Sequence, residues 1–254
     1  MDQLSLSLYH ANGPITLAPP LTSRHFLSAL HCHPLPEKPA VLLFQARYHP
    51  ARYHQNLHDL TGIPLPAPLE AAVNKRRAEY LASRALVRHA LEVFHLSDFL
   101  LVNDADRAPC WPEGIAGSLS HTDGYVCLLL ARAQNNLLVG VDVEQIMRDE
   151  TAHEMADMII NAQEKAILQQ SGLPFASALT AAFSLKESLY KALFPGLRRF
   201  IDFHQAEIVA AEPQLARVTL QLPQALSALL PAGRCFSGHV IISGSELLSR
   251  IVTS

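Results

Sequence analysis

Apolar residues recur through residues 70–95 at Val73, Tyr80, Val87, Leu91 and Phe94. Spacings of three, four and seven predict a helix with one buried stripe. Arg77, Arg84 and Arg88 share a row beside that stripe, at the margin of the buried face. Further on, residues 125–132 and 137–144 read as strands separated by a turn at 133–136. Paired as a hairpin, they would put Asp142 near Cys127 and Glu144 near Tyr125. Ser120 and His121 would then share a sheet end with the two acids. A helix is expected over about 152–170, with Met155, Met158, Ile159, Ala162 and Ala166 as its apolar face. A second helix, over about 175–193, turns Leu179, Ala182, Phe183, Leu189 and Leu193 inward until Pro195-Gly196 stops it. Residues 200–242 alternate and turn like a set of strands.

The first 68 residues hold ten of the 17 prolines and seven of the 13 histidines, so this segment reads as loop-rich, with short extended pieces such as 41–46. His31-Cys32-His33-Pro34 within it reads as a surface loop, because no second ligand cluster lies at zinc-site spacing. A chain of 254 residues, 49% apolar and 17% charged, suffices for one large domain or two intimate halves with a real core. A net charge of −3 argues against non-specific nucleic-acid binding. The stretch MDQLSLSLYH lacks the basic flank and apolar core of a signal peptide. The apolar run at 126–131 is too short to span a bilayer. Cys32, Cys110, Cys127 and Cys235 are scattered without a CxxC pair, a pattern of reduced thiols in a cytoplasmic protein.

Two clusters carry chemistry. In GVDVE at 140–144, strand alternation turns Val141 and Val143 one way, Asp142 and Glu144 the other. Two carboxylates on one face suit a hard divalent cation; the plainer alternative is an edge strand with a solvated acidic face. In FSLKESLYK at 183–191, Glu187 and Lys191 are neighbours on one helix face. They form an ordinary surface ion pair, or else Glu187 completes a metal site while Lys191 meets a phosphate.

Together these motifs, in this order and preceded by Ser120-His121, resemble the phosphopantetheinyl transferases of the surfactin-synthase-activating type, most of all the enterobactin-pathway subgroup. RAPCWPEGIAGSLSH at 107–121, KRRAEYLASR at 75–84 and LFPGLRRFIDFHQAEI at 193–208 support the resemblance, which covers about residues 70–210. The chain departs from the subgroup at Ala82-Ser83-Arg84, where a small Ala-Gly-Arg turn is usual.

The resemblance implies an α/β (α+β) fold of two similar halves related by a pseudo-twofold axis, each a small, mostly antiparallel sheet packed with helices. The halves would be residues 1–135 and 136–254, and the protein a monomer. It implies transfer of 4'-phosphopantetheine from coenzyme A to a serine of an acyl, aryl or peptidyl carrier protein, as in siderophore and other non-ribosomal peptide assembly. Asp142, Glu144 and Glu187 would ligate Mg²⁺ or Mn²⁺. Lys186, Lys191, Ser120 and His121 would contact the phosphates, and Arg77 and Arg84, ahead of Lys75 and Arg76, the 3'-phosphate. The base is open among Glu187, a metal-bound water and Lys191, with Glu187 preferred. No nucleic-acid or membrane partner is expected. The competing readings are another magnesium-dependent phosphotransferase and a non-catalytic coenzyme A or carrier-binding protein on the same fold.

Overall fold

A computed structural model describes residues 15–16 and 25–253; the reading of the first ten residues as no signal peptide lies outside them. The chain divides into two compact units, residues 1–134 and 135–254. No helix among the described residues is long and apolar enough to cross a membrane.

The first unit contains β1 (Ile15–Thr16), β2 (Leu27–Leu35), β3 (Lys38–Tyr48), α1 (Asn56–Thr61), α2 (Asn74–Glu92), β4 (Val102–Asn103), β5 (Pro109–Cys110), β6 (Ile115–Thr122) and β7 (Tyr125–Arg132). Its main sheet, ordered β1-β2-β3-β7-β6, is antiparallel throughout. Helix α2 packs on β3, β6 and β7, burying Leu81, Leu86, Val87 and Leu91 with Phe44, Val126, Leu128 and Leu130. Val73, expected on the apolar stripe, is instead the residue before α2 and is 73% exposed.

The loop-rich reading of the N-terminal segment fails over residues 27–48. Strands β2 and β3 form a long hairpin, and β3 sits at the middle of the sheet because Val41–Phe44 are all buried. Pro34 sits at a register shift of β2, where its missing N–H is tolerated, so proline content misled. His31-Cys32-His33 accordingly lies on β2, with Cys32 buried and its thiol pushed by burial up to about 12.

The second unit contains β8 (Leu138–Gln145), α3 (Asp149–Ile159), α4 (Ala162–Gln169), α5 (Phe175–Leu197), β9 (Glu207–Ala211), β10 (Arg217–Gln221), β11 (Cys235–Ser243) and β12 (Glu246–Thr253). Its antiparallel sheet runs β8-β12-β11-β10-β9. Helix α5 lies on β8, β12 and β11, with α3 and α4 against its other side. It is therefore buried nearly all round, through Leu179, Ala182, Leu185, Leu189 and Leu193.

Three expectations fail here. Strands β7 and β8 do not pair: β3 and β6 occupy both edges of β7, and β8 pairs with the C-terminal strand β12. The register argument joining Ser120 and His121 to the acids falls with that hairpin. The helix expected over 152–170 is two helices, broken at Ile160-Asn161, where both residues are extended. The Asn161 side chain accepts from the Glu164 N–H while the Glu164 carboxylate accepts from the Asn161 N–H, a reciprocal cap that starts a new helix. Pro195 does not stop α5, which runs on to Leu197 and ends at left-handed Arg198.

Gly140 governs how β8 meets α5. A β-carbon on it would fall inside the Ser188 carbonyl oxygen and against the Ala192 methyl. Gly140→Ala is expected to destabilise the protein by about 2–3 kcal/mol through overpacking, measured as a fall in the urea midpoint at unchanged slope.

Candidate active site

Close approach of β8 to α5 brings GVDVE and FSLKESLYK together within the second unit. Asp142 is only 3% exposed. A buried carboxylate is costly unless its charge and lone pairs find partners. Its Oδ1 lies 2.6 Å from the Lys191 ammonium, and its Oδ2 accepts a hydrogen bond of 2.8 Å from the Ser184 hydroxyl. Lys191 therefore pairs with Asp142 across the strand–helix contact, a partner that the helix-surface reading of Glu187 and Lys191 did not include. The reading of β8 as a solvated acidic edge also fails, since Asp142 is buried.

Glu144 and Glu187 complete an electrostatic group with Asp142 and Lys191. The Glu144 carboxyl is pushed up to about 7, first by burial, then by Asp142 and Glu187, against the opposing pull of Lys191. Burial also raises Glu187, with Lys191 opposing and Asp142 adding. Three acids thus sense one another beside one ammonium, so negative charge is in excess. Among the described residues no three acid, histidine or cysteine side chains converge closely enough to form a finished metal cage. The donor set still fits a hard divalent cation chemically: the groups are oxygen donors whose mutual repulsion a single ammonium offsets only in part, and magnesium needs few protein ligands.

Lys186, expected at a phosphate, points elsewhere. Its buried ammonium meets Glu164 Oε1 at 2.7 Å, the Ile159 carbonyl at 2.7 Å and the Phe203 carbonyl at 3.0 Å, which accounts for all three of its protons. Burial lowers its pKa, with Glu164 opposing. Glu164, with no exposure at all, also accepts from the Ile208 N–H at 2.9 Å. The pair therefore ties α3, α4, α5 and β9 together one residue from Glu187. Only the Asn161-x-x-Glu164 capping pattern hinted at this in the sequence.

In the first unit, Arg84 is likewise directed inward. It is 8% exposed, donates to the Leu101 carbonyl, Ser83 Oγ and Asn103 Oδ1, and lies over the Tyr80 ring at 4.6 Å. Three of its five N–H groups are taken, so the structure gives it a packing role rather than the expected phosphate contact. Ser83, the departure from the subgroup pattern, both accepts from Arg84 and donates to the Tyr80 carbonyl. Arg77 donates to the Leu69 and Glu70 carbonyls and lines an open cavity of about 740 Å³ with His58, Asp59 and Glu70. Arg88 donates to the Thr61 and Gly62 carbonyls. Lys75 and Arg76 face Asp123 at 3.6 Å and Glu79 at 3.1 Å. Ser120 and His121 sit on β6 opposite Cys127 and Val126.

Comparison with known proteins agrees with the motifs. Residues 65–131 match the 4'-phosphopantetheinyl transferase N-terminal domain, and residues 138–231 match the 4'-phosphopantetheinyl transferase superfamily. Enterobactin synthase component D of Salmonella typhi is 39% identical over 173 residues, 68% of this chain and 70% of that protein. The chain belongs to the 4'-phosphopantetheinyl transferase superfamily. Enterobactin synthase component D of Escherichia coli strain K12 is 37% identical over 134 residues, 53% of this chain and 63% of its own length. The 4'-phosphopantetheinyl transferase PptT of Mycobacterium tuberculosis is 33% identical over 150 residues, 59% and 65% respectively. The second family match takes in Asp142, Glu144, Glu187 and Lys191 and stops short of β12.

Breaking the buried ion pair should weaken the fold rather than cofactor affinity. Lys186→Met is expected to lower unfolding free energy by about 3–5 kcal/mol, because it strands a buried carboxylate. Adding Glu164→Gln should recover part of that loss. Urea denaturation reads both, and calorimetry at low temperature should find coenzyme A affinity unchanged in the folded Lys186→Met protein.

Proposed function

We propose that the protein is a holo-carrier-protein synthase, moving the 4'-phosphopantetheine of coenzyme A onto a serine of an acyl, aryl or peptidyl carrier domain and releasing 3',5'-ADP. The observation that carries the reading is the cluster of Asp142, Glu144 and Glu187 around Lys191, inside the matched superfamily segment. The relatives named for enterobactin synthase favour a siderophore-type carrier.

In this reading Asp142, Glu144 and Glu187 hold Mg²⁺, or Mn²⁺ in its place. The bound ion supplies charge neutralisation and alignment for the pyrophosphate oxygens. The carrier serine oxygen attacks the phosphorus nearer the pantetheine. The phosphorus–oxygen bond to the ADP portion breaks in line, and that oxygen leaves with the electron pair. Glu187 takes the serine proton, directly or through water; the burial that raises its pKa suits a proton acceptor. Lys191, 27% exposed at its side chain, turns from Asp142 to donate to a phosphate oxygen. Most of the rate gain comes from positioning and charge stabilisation.

Arg77, Ser120 and His121 are proposed as further coenzyme A contacts, with Arg77 keeping N–H groups to spare beyond its two carbonyl bonds. We place the protein in the cytoplasm, a setting that four cysteines outside any disulfide support, and take it to act as a monomer.

The test is the intact mass of a panel of apo-carrier proteins after incubation with the protein, coenzyme A and Mg²⁺. One phosphopantetheine should be gained on at least one carrier, and the gain should vanish with EDTA or Asp142→Ala. Glu187→Gln should slow transfer by at least a hundredfold with an unchanged melting temperature. Near-normal turnover in that variant excludes Glu187 as metal ligand and base, while a folded protein that modifies no carrier in the panel and does not bind coenzyme A contradicts the function.

A further inference from the structure

Behind Asp142 lies a row of three hydroxyls with no exposed surface: Ser184 and Ser188, one turn apart on α5, and Ser249 on β12. Strand pairing sets Ser249 directly opposite Asp142. Its neighbours on the same face of β12, Leu247 and Ile251, belong to the apolar core. A hydroxyl in such a row is unfavourable unless hydrogen-bonded. Ser249 Oγ lies 2.8 Å from Ser184 Oγ and 2.8 Å from Ser188 Oγ.

Proton counting gives this row one direction. A serine hydroxyl carries one proton, and an ionised carboxylate only accepts. Ser184 gives its proton to Asp142 Oδ2, so at its contact with Ser249 it must accept. Ser249 therefore spends its proton on Ser184 and must accept from Ser188. The Ser188 proton is shared between Ser249 Oγ and the Ser249 carbonyl at 3.1 Å. The chain runs Ser188 to Ser249 to Ser184 to Asp142, each donor polarised by the next.

We propose that Ser249 and Ser188, acting through Ser184, are positioning residues for Asp142. The chain fixes the carboxylate from behind by its Oδ2 and leaves Oδ1, the oxygen now against Lys191, as the one presented to a cation. This rests on the metal-dependent reading above and extends it to a strand outside the matched superfamily segment. It assigns a role to hydroxyls that touch neither cation nor substrate.

The test is Mn²⁺ affinity of the full-length protein, read by electron paramagnetic resonance, in Ser184→Ala, Ser249→Ala and Ser188→Ala, with urea unfolding of each in the absence of metal. Serine to alanine removes one buried oxygen and adds no bulk, and three variants guard against any one failing to fold. Affinity should fall about tenfold in Ser184→Ala, which loses a bond to a charged group. It should fall about threefold in Ser249→Ala and less than twofold in Ser188→Ala, as polarisation fades with distance. The Mg²⁺ concentration for half-maximal transfer should shift in the same order, with KM for the carrier unchanged. Unaltered Mn²⁺ affinity in Ser249→Ala, or losses that follow unfolding stability instead of order along the chain, overturns the proposal. If the wild-type protein binds no Mn²⁺, the metal reading fails first and the positioning role falls with it.

Discussion

Strand β8 can lie against helix α5 only because residue 140 has no side chain, and the chemistry of the second unit follows from that contact. The Ser188 carbonyl occupies the space a β-carbon would need. At that separation the Lys191 ammonium reaches Asp142 Oδ1 at 2.6 Å, and the Ser184 hydroxyl reaches Oδ2 at 2.8 Å. Moving the helix outward by the width of a methyl group would stretch both bonds beyond useful range, leaving Asp142 buried with its charge unmet.

Around that contact the unit holds two kinds of ionic group. Glu164 and Lys186 form a closed pair: every proton of the ammonium has an acceptor, the carboxylate takes two backbone N–H groups as well, and both residues are buried. Asp142, Glu144, Glu187 and Lys191 form an open set, with three acids to one base and the Glu144 and Glu187 carboxyls raised by burial and by neighbouring acids. A closed pair anchors helices. In the proposed function the open set receives a cation, and the partly exposed Lys191 then turns from Asp142 to an incoming anion.

Local spacing made much of this legible. Alternation in GVDVE and the four-residue step from Glu187 to Lys191 pointed to the residues that the fold brings together, and the apolar period of residues 175–193 found the core helix. What stayed hidden depended on distant partners. The pairing of β8 with β12 joins segments with most of the unit between them, so Ser249 gave no signal. Lys186 looked like Lys191 in sequence, but helix geometry turns it toward α4 instead of β8. The prolines of the first 68 residues suggested loops because a register shift that absorbs Pro34 is invisible until β2 is paired. The break at Asn161 was readable from its capping pattern, yet the apolar period ran through it.

In the proposed function, the acids beside Asp142 form a cation site through which coenzyme A is held. The decisive measurement is calorimetric titration of coenzyme A into the protein, with and without Mg²⁺, repeated on Asp142→Asn, which keeps the size and removes the charge. Mg²⁺ should tighten coenzyme A binding about tenfold or more in the unmodified protein and have no effect in the variant. Coenzyme A affinity that is indifferent to Mg²⁺ in the unmodified protein, or equally Mg²⁺-dependent in both, would contradict it.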